Sequence, residues 1–456
     1  MKHGVKIPLF FIFVNLAAYL CNQPASLYAA EFFPVPFLQD RLARDRDEAI
    51  ELAVIEARAS CDARKRLFVK NKPDGSWNSL PTRKDIKEAE KKVGKDKKEP
   101  FHFKGYYKNL LSIGRSLTEK EYFLSDMQRF RLETRIDLSE RLYAKVVYYN
   151  EIILGNYLHK EDFDLIREND QIERAFVDLD KAYVDRRDLY MRHLLYRAFA
   201  EYRSPYFQFT IGKQLVDWGR CRFWSPMDLF NPVSPLVLER EERIGVDAVN
   251  VNFSPNAPFP ELNIVYAPQH VFDRTSIGGR LYKMIGNFDT FFMGGIFKND
   301  AAIGGGIDGQ LGDWGARAEL TVTWANDRDD YFRGALEAEY HFAKFDIYGE
   351  YFYNGGADDD NVDEFINSFD FANRVLSLKE HLLGIQVTYE ITPLIKLHNY
   401  ILGDIIGPSI FLNPEIKYNV LANLDLSGGA QFFWGGDESE FGIYEHIYYT
   451  QLQYFF

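Results

Sequence analysis

From Phe101 onward the chain alternates apolar and polar residues in segments bounded by turns. Phe130, Leu132, Thr134, Ile136 and Leu138 alternate with Arg129, Arg131, Glu133, Arg135 and Asp137. Ala316, Ala318, Leu320 and Val322 alternate with Arg317, Glu319, Thr321 and Thr323. Leu336, Ala338, Tyr340 and Phe342 alternate with Ala335, Glu337, Glu339 and His341. A period of two is that of an extended strand, whose successive side chains point to opposite faces. Charges recur on one face, and an unpaired charge in a dry core is too costly, so the two faces must meet different media. Lipid on the apolar face and a wet lumen on the other satisfies this. The predicted fold is all-β, a transmembrane antiparallel β-barrel of about 18 strands with a short helical N-terminal periplasmic extension.

Strands are expected to begin near residues 103, 124, 139, 190, 205, 243, 260, 276, 287, 300, 313, 330, 345, 379, 392, 407, 421 and 445. Tight connections near Asp137–Glu140, Ser204–Pro205, Ala343–Lys344 and Ile391–Pro393 alternate with long ones at Glu151–Tyr190, Asp217–Glu242, Gly355–Lys379 and Gly435–Glu440. Short turns on one rim and long loops on the other are the habit of an even-stranded barrel with both termini on the short-turn side. Trp314 and Trp324 share one face ten residues apart, which at about 3.3 Å per residue and a tilt near 40° separates them by roughly 25 Å in height, the spacing of two aromatic girdles. The glycine run Gly304–Gly306 lies inside a strand, with no helix or Lys after it to bind phosphate, and marks close packing or a bend.

Composition fits this picture. Aromatics are 16% of 456 residues, yet hydrophobic residues are an ordinary 46% and mean hydropathy is −0.30. The net charge of −13 argues against nucleic acid. Lys2, His3 and Lys6 precede an uncharged run from Ile7 to Leu20 with small residues after it, which predicts a signal peptide over 1–30, cleaved after Ala29 or Ala30. Residues 31–100 lack the strand alternation of the rest: Asp40–Arg66 reads as a helix and Arg83–Lys98 as a lysine-rich polar segment. They form a solvated periplasmic extension or a docking segment for a partner, and 101–456 form the barrel. After cleavage only Cys61 and Cys221 remain, either paired in an oxidising periplasm or both unpaired.

The last residues read HIYYTQLQYFF, with Phe456, Tyr454, Leu452 and Tyr448 on one face and Phe455, Gln453, Gln451 and Tyr449 on the other. This ending resembles the terminal strand by which bacterial outer-membrane β-barrels are recognised for insertion. The resemblance makes Phe456 the assembly signal and the barrel-assembly machinery a partner, and the last strand is expected to pair with the first, near Phe103.

The most specific internal segment is Ile211–Pro232, IGKQLVDWGRCRFWSPMDLFNP, followed by EREERIGVD at Glu239–Asp247. Its Gly-Lys-Gln, Trp-Gly and Pro-x-Asp-x-x-Asn-Pro succession resembles large outer-membrane porins of the alginate-export-like kind. Gly219 lets the chain bend off the strand end, and Pro226, Asp228, Asn231 and Pro232 supply turn chemistry. Arg220, Arg222, Arg240 and Arg243 face the acids Asp217, Asp228, Glu239, Glu241 and Glu242, which are expected to fix the loop by ion pairs. Folded back into the lumen, the loop is a pore constriction; packed only for stability, it never touches solute.

A conduit for a polyanion should be lined by one sign of charge. Here the inward positions Arg129, Arg131, Arg135, Lys145, Arg197 and Arg317 are joined by Glu133, Glu201, Glu319, Glu337, Glu339, Asp346 and Glu350, the bases on early strands and the acids mainly on later ones. The lumen is therefore expected to be mixed or transversely polarised. The expected function is an outer-membrane channel passing small hydrophilic solutes by diffusion, with an export or assembly component for an envelope polysaccharide as the alternative. No Gly-x-Ser-x-Gly and no Ser–His register supports an enzyme. The acidic stretch Asp358, Asp359, Asp360, Asp363 and Glu364 lacks calcium-loop spacing and reads as a solvated outer loop. No cofactor and no metal is expected, and the partners are outer-membrane lipid, lipopolysaccharide and solute, the barrel being monomeric or homo-oligomeric.

Overall fold

The computed structural model describes residues 100–170, 176–177, 179–232, 235–236, 243, 245–255, 259–270, 274–326, 328–357, 377–436 and 438–456. The signal segment, the 31–100 extension apart from Pro100, Cys61, Arg240 with its neighbours Glu239, Glu241 and Glu242, and the acidic stretch at 358–364 lie outside the described residues. The first strands are β1 (Phe101–Arg115), β2 (Tyr122–Asp137), β3 (Leu142–Leu154), β4 (Lys181–Arg186), β5 (Leu189–Arg203), β6 (Phe207–Gln214), β7 (Val246–Phe253), β8 (Glu261–Ala267) and β9 (Ser276–Ile285). They are followed by β10 (Phe288–Phe297), β11 (Asp300–Leu311), β12 (Trp314–Trp324), β13 (Tyr331–Phe342), β14 (Phe345–Asn354), β15 (His381–Thr392), β16 (Ile395–Asp404), β17 (Ser409–Leu421), β18 (Leu424–Trp434) and β19 (Ile447–Phe455).

The strands pair antiparallel with their neighbours, and β19 pairs with β1, so the sheet closes on itself. Closure leaves no backbone edge facing lipid, where an unpaired amide or carbonyl has no partner. Eighteen strands make the wall, as the alternation predicts. The additional strand β4 pairs only with Leu189–His193 of β5, on the edge that β6 occupies at Ala198–Arg203, so it continues that edge past β6. It went unread in the sequence because KAYVDR is only six residues long within a long connection, and five of its six residues are exposed. The β3–β5 connection holds β4, a 3-10 turn (Asn156–His159) and the single described α-helix, α1 (Glu161–Asp170).

The connections split by rim. Residues 286–287, 312–313, 343–344, 393–394 and 422–423 turn the chain tightly at the end where β1 starts and β19 stops, while the long connections after β3, β6, β14 and β18 leave the wall at the other. Gly286 and Gly312, at φ +63° and +67°, provide the left-handed backbone that two-residue hairpins require.

Wall polarity follows the alternation. Trp314 and Trp324 are exposed at the two ends of β12, while Glu319 and Thr321 between them face inward and are buried. At the inner face of β11 the side chains of Met293 and Phe291 lie across Gly304 and Gly306, where a Cβ would stand 3.0 and 2.6 Å from them. The seam joins Tyr106–Gly114 of β1 to Ile447–Phe455, with Tyr454, Leu452 and Tyr448 exposed on the outer face. Phe456 exchanges two backbone hydrogen bonds of 3.0 Å with Gly105, and its ring stacks on Phe130 at 5.6 Å. Gly105 is needed there, because a Cβ would come within 2.7 Å of the Phe456 ring.

Candidate functional site

The site begins where β6 stops pairing. Gly212, at φ +118°, lets the strand kink, and Gln214 is buried with its side-chain amide donating to the Ala248 carbonyl at 2.9 Å. The chain then turns off the wall. Val216 N–H donates to Asn231 Oδ1 at 3.0 Å, Asn231 N–H donates to Asp228 Oδ1 at 3.3 Å, and Arg243 bridges Asp217 and Asp228 at 2.8 and 2.7 Å. Trp218, Met227 and Phe230 pack on Ala248, Val265, Phe291, Met293 and Phe297, which belong to β7, β8 and β10. Trp218 Nε1 donates to Asn263 at 2.9 Å.

Beyond Gly219 the loop meets β12–β14 through its backbone. Glu319 accepts from the N–H groups of Arg220, Cys221 (3.0 Å) and Met227 (3.3 Å) and from Ser225 Oγ (2.6 Å). Glu350 accepts from Arg222 (2.9 Å), Phe223 (2.8 Å) and Trp224 (2.8 Å), and Glu337 also accepts from Arg222 at 2.7 Å. Successive N–H groups converging on one anion form a nest, and here the anions are the wall's own carboxylates. Trp224 stacks on Phe352 at 5.6 Å, and the Phe223 ring fills the place of a side chain at Gly384. Farther on, the Leu236 carbonyl accepts from Gln431 of β18 at 3.0 Å. Burial and the neighbouring Glu319, Glu350 and Glu337 push the Cys221 thiol up, and among the described residues it has no disulfide partner.

One expectation needs correcting. Of the loop's arginines, Arg243 makes the predicted ion pairs with Asp217 and Asp228. Arg220 and Arg222 hold the loop by main-chain N–H groups that converge on the buried wall glutamates. The Arg222 guanidinium lies 3.7 Å from the Tyr348 ring centroid and donates to Gln386 at 3.2 Å. The Arg220 guanidinium stands over Phe291 at 5.8 Å.

The early-strand wall is differently built. Glu151, 1% exposed, sits between Arg129 (2.6 Å) and Arg192 (2.8 Å). Glu133 bridges Arg131 (3.1 Å), Lys145 (2.8 Å) and Lys104 (3.2 Å), and Arg135 pairs with Asp137 at 2.8 Å. Arg129 and Arg131 lie over Tyr149 at 5.1 and 5.4 Å, and Arg135 over Tyr143 at 4.2 Å. Arg197 faces inward opposite Val147. On the later strands Arg317 binds Glu337, Glu339 (3.0 Å) and Asp308 (3.2 Å). Glu319, Glu337, Glu339 and Glu350 are thus taken up by loop amides and Arg317, and Asp346 meets His341 at 2.7 Å, while cations outnumber carboxylates on the inner face of β1–β5.

Sequence reasoning missed Glu151 and Arg192. Glu151 is on the inward parity of β3, a signal that was available. Arg192 was not legible, because a bulge between Leu195 and Arg197 flips the parity and turns it inward.

The fold and the site define a class: a closed β-barrel with an apolar outer wall, a charged inner wall and a long loop bonded to that inner wall. No protein-family model matches the chain, and no curated protein matches it. Among solved structures it is similar to the Pseudomonas aeruginosa outer membrane protein OpdK, with 10% identity, a TM-score of 0.50, and 78% of this chain and 98% of that chain covered. Acinetobacter baumannii OccAB1 is similar at 11% identity and a TM-score of 0.50, covering 78% of this chain and 97% of that one. Pseudomonas aeruginosa OccK8 (OprE) is similar at 8% identity and a TM-score of 0.50, covering 78% and 98%. The fold is that of outer-membrane porins.

Proposed function

We propose that this protein is an outer-membrane channel that passes small hydrophilic solutes by diffusion, its lumen narrowed by the 215–245 loop. The observation that carries the reading is the set of bonds from loop residues 220–227 to Glu319, Glu337 and Glu350, inward-facing residues on strands remote from the loop's own β6 and β7. A loop tethered in this way crosses the bore and sets its narrowest section, as constrictions do in other channels. The succession at Ile211–Pro232 supports grouping the channel with large porins of the alginate-export-like kind. The mixed, internally paired charges of the wall favour small solutes over a polyanion, which would call for one unbroken sign of charge.

Purified protein in planar bilayers should give stepwise conductance increments, and liposomes containing it should swell in small neutral solutes. A folded barrel that is silent in both assays refutes the channel and leaves the fold untouched.

A further inference from the structure

Beneath the loop, towards the rim where β1 starts and β19 ends, the inner wall of β6–β9 lines an open cavity of about 400 Å³. Its wall is a row of carboxamides set by strand register. Gln208 stands opposite Asn252, Asn252 opposite Asn263, and Asn263 opposite Arg280. Asn263 is spent on fixed partners, donating to Asn250 Oδ1 at 2.6 Å and accepting from Trp218. Its neighbours are not. Among the described residues, Gln208 makes no side-chain hydrogen bond, Asn250 leaves its Nδ2 free and Asn252 leaves its Oδ1 free. Two charges at the cavity have no ionic partner there either: Glu261, opposite Tyr282 across the strand pair, and Arg220 from the loop above. Arg280, 9% exposed, donates Nη1 to the Trp218 carbonyl at 3.3 Å and leaves Nε without an acceptor. The Tyr282 ring is fixed by its hydroxyl, which donates to Asp289 at 2.7 Å.

We propose that this cavity is a binding subsite for a neutral polyhydroxylated solute of mono- or disaccharide size, lying on the solute path beneath the loop. A carboxamide offers a donor and an acceptor side by side, which matches a pair of adjacent hydroxyls. Glu261 and Arg220 add an ionised acceptor and an ionised donor, whose hydrogen bonds to hydroxyls are the stronger kind. The formal charges bordering the cavity cancel, Arg220 and Arg280 against Asp217 and Glu261. A solute with net charge therefore gains no advantage there, whereas a hydroxyl-rich neutral one can bond to the carboxamides of Gln208, Asn250 and Asn252 and to Glu261 and Arg220. The volume lies within the roughly 300–1,000 Å³ of small-molecule sites.

This inference rests on the channel reading, and its test separates the two. Maltose added to single channels in a planar bilayer should produce resolved current interruptions whose frequency rises with sugar concentration. Glu261→Gln and Asn252→Ala should each weaken maltose block roughly tenfold, scored against each variant's own open current. Calorimetric titration of maltose into detergent-solubilised protein should show the same ranking. A conducting channel with neither block nor heat of binding overturns the subsite, as does block unchanged in both variants. Block by the zwitterion glycine betaine in place of maltose also overturns it. A silent barrel that still binds maltose with the expected ranking keeps the subsite and refutes the channel.

Discussion

Replacing Glu350 by Ala should release the loop from its docked position. Glu350 is 1% exposed and accepts three consecutive N–H groups, those of Arg222, Phe223 and Trp224. After the substitution Arg222 keeps Glu337 as an acceptor, but Phe223 and Trp224 are left with buried, unsatisfied donors. At ~1–3 kcal/mol for each orphaned group the docked loop loses ~2–6 kcal/mol. Holding it against this are the rings of Trp224 and Phe223, 1% and 2% exposed, whose burial contributes ~1.5–3 kcal/mol each. The opposing magnitudes are comparable, so the variant should exchange between docked and released loop instead of opening outright. Single-channel recording should show current flicker with a second, higher conductance level, and the double variant Glu319→Ala, Glu350→Ala should favour the higher level. Glu350→Gln keeps one acceptor oxygen and should fall between. Conductance and noise identical to wild type in the double variant would refute the argument that the carboxylate nests hold a constriction.

Four further outcomes are expected. Deleting Phe456 removes two backbone hydrogen bonds, ~0.5–1.5 kcal/mol each, together with the stacking on Phe130, and should lower the folded, heat-modifiable fraction in membranes; undiminished folding counts against its role as assembly signal. Glu151→Ala removes the buried carboxylate that Arg129 and Arg192 share and should destabilise the barrel by ~3–5 kcal/mol, read as earlier loss of the folded band on heating. Arg131→Ala combined with Arg135→Ala should shift the reversal potential in a salt gradient towards cations; no shift would place these residues outside the ion path. Burial lifts the carboxyl of Glu440, in the 435–446 connection, from its ordinary 4.5 to about 8, with Asp404 acting in the same direction and Lys379 against it. A carboxyl buried in its neutral form contributes its stability fully below pH 4.5, and that contribution is lost as pH rises through about 8, because charging the buried group costs more than the Leu378 and Lys379 N–H groups return. Protection of those two amides in hydrogen exchange should fall over that window, and Glu440→Gln should abolish the dependence.

The barrel was legible because a wall between lipid and water repeats one instruction, apolar out and polar in, at each strand. Trp314 and Trp324, and the ending at Phe456, needed no tertiary knowledge to be read. The loop was legible only as a motif. Its attachment was not, because the donors at 220–224 are main-chain N–H groups, which every residue but proline carries and no pattern distinguishes. Ion pairs were anticipated where side-chain charge is visible, and among the described residues Arg243 makes them with Asp217 and Asp228. The carboxamide row fell in plain sight along VDAVNVNF, yet Asn250 and Asn252 acquire meaning only when register sets them beside Gln208 and Asn263.

The nests at Glu319 and Glu350 grip peptide groups at 220–224 and leave the identities of those residues unspecified, while Ser225 is held through its hydroxyl. If the proposed channel holds, side chains at 220 and 222 can therefore be exchanged while the segment stays seated, and a single scaffold of this design would acquire new solute preferences by substitution within one short stretch. Loop grafts that preserve the two glutamates, with new residues at these positions, offer a direct route to engineered pores.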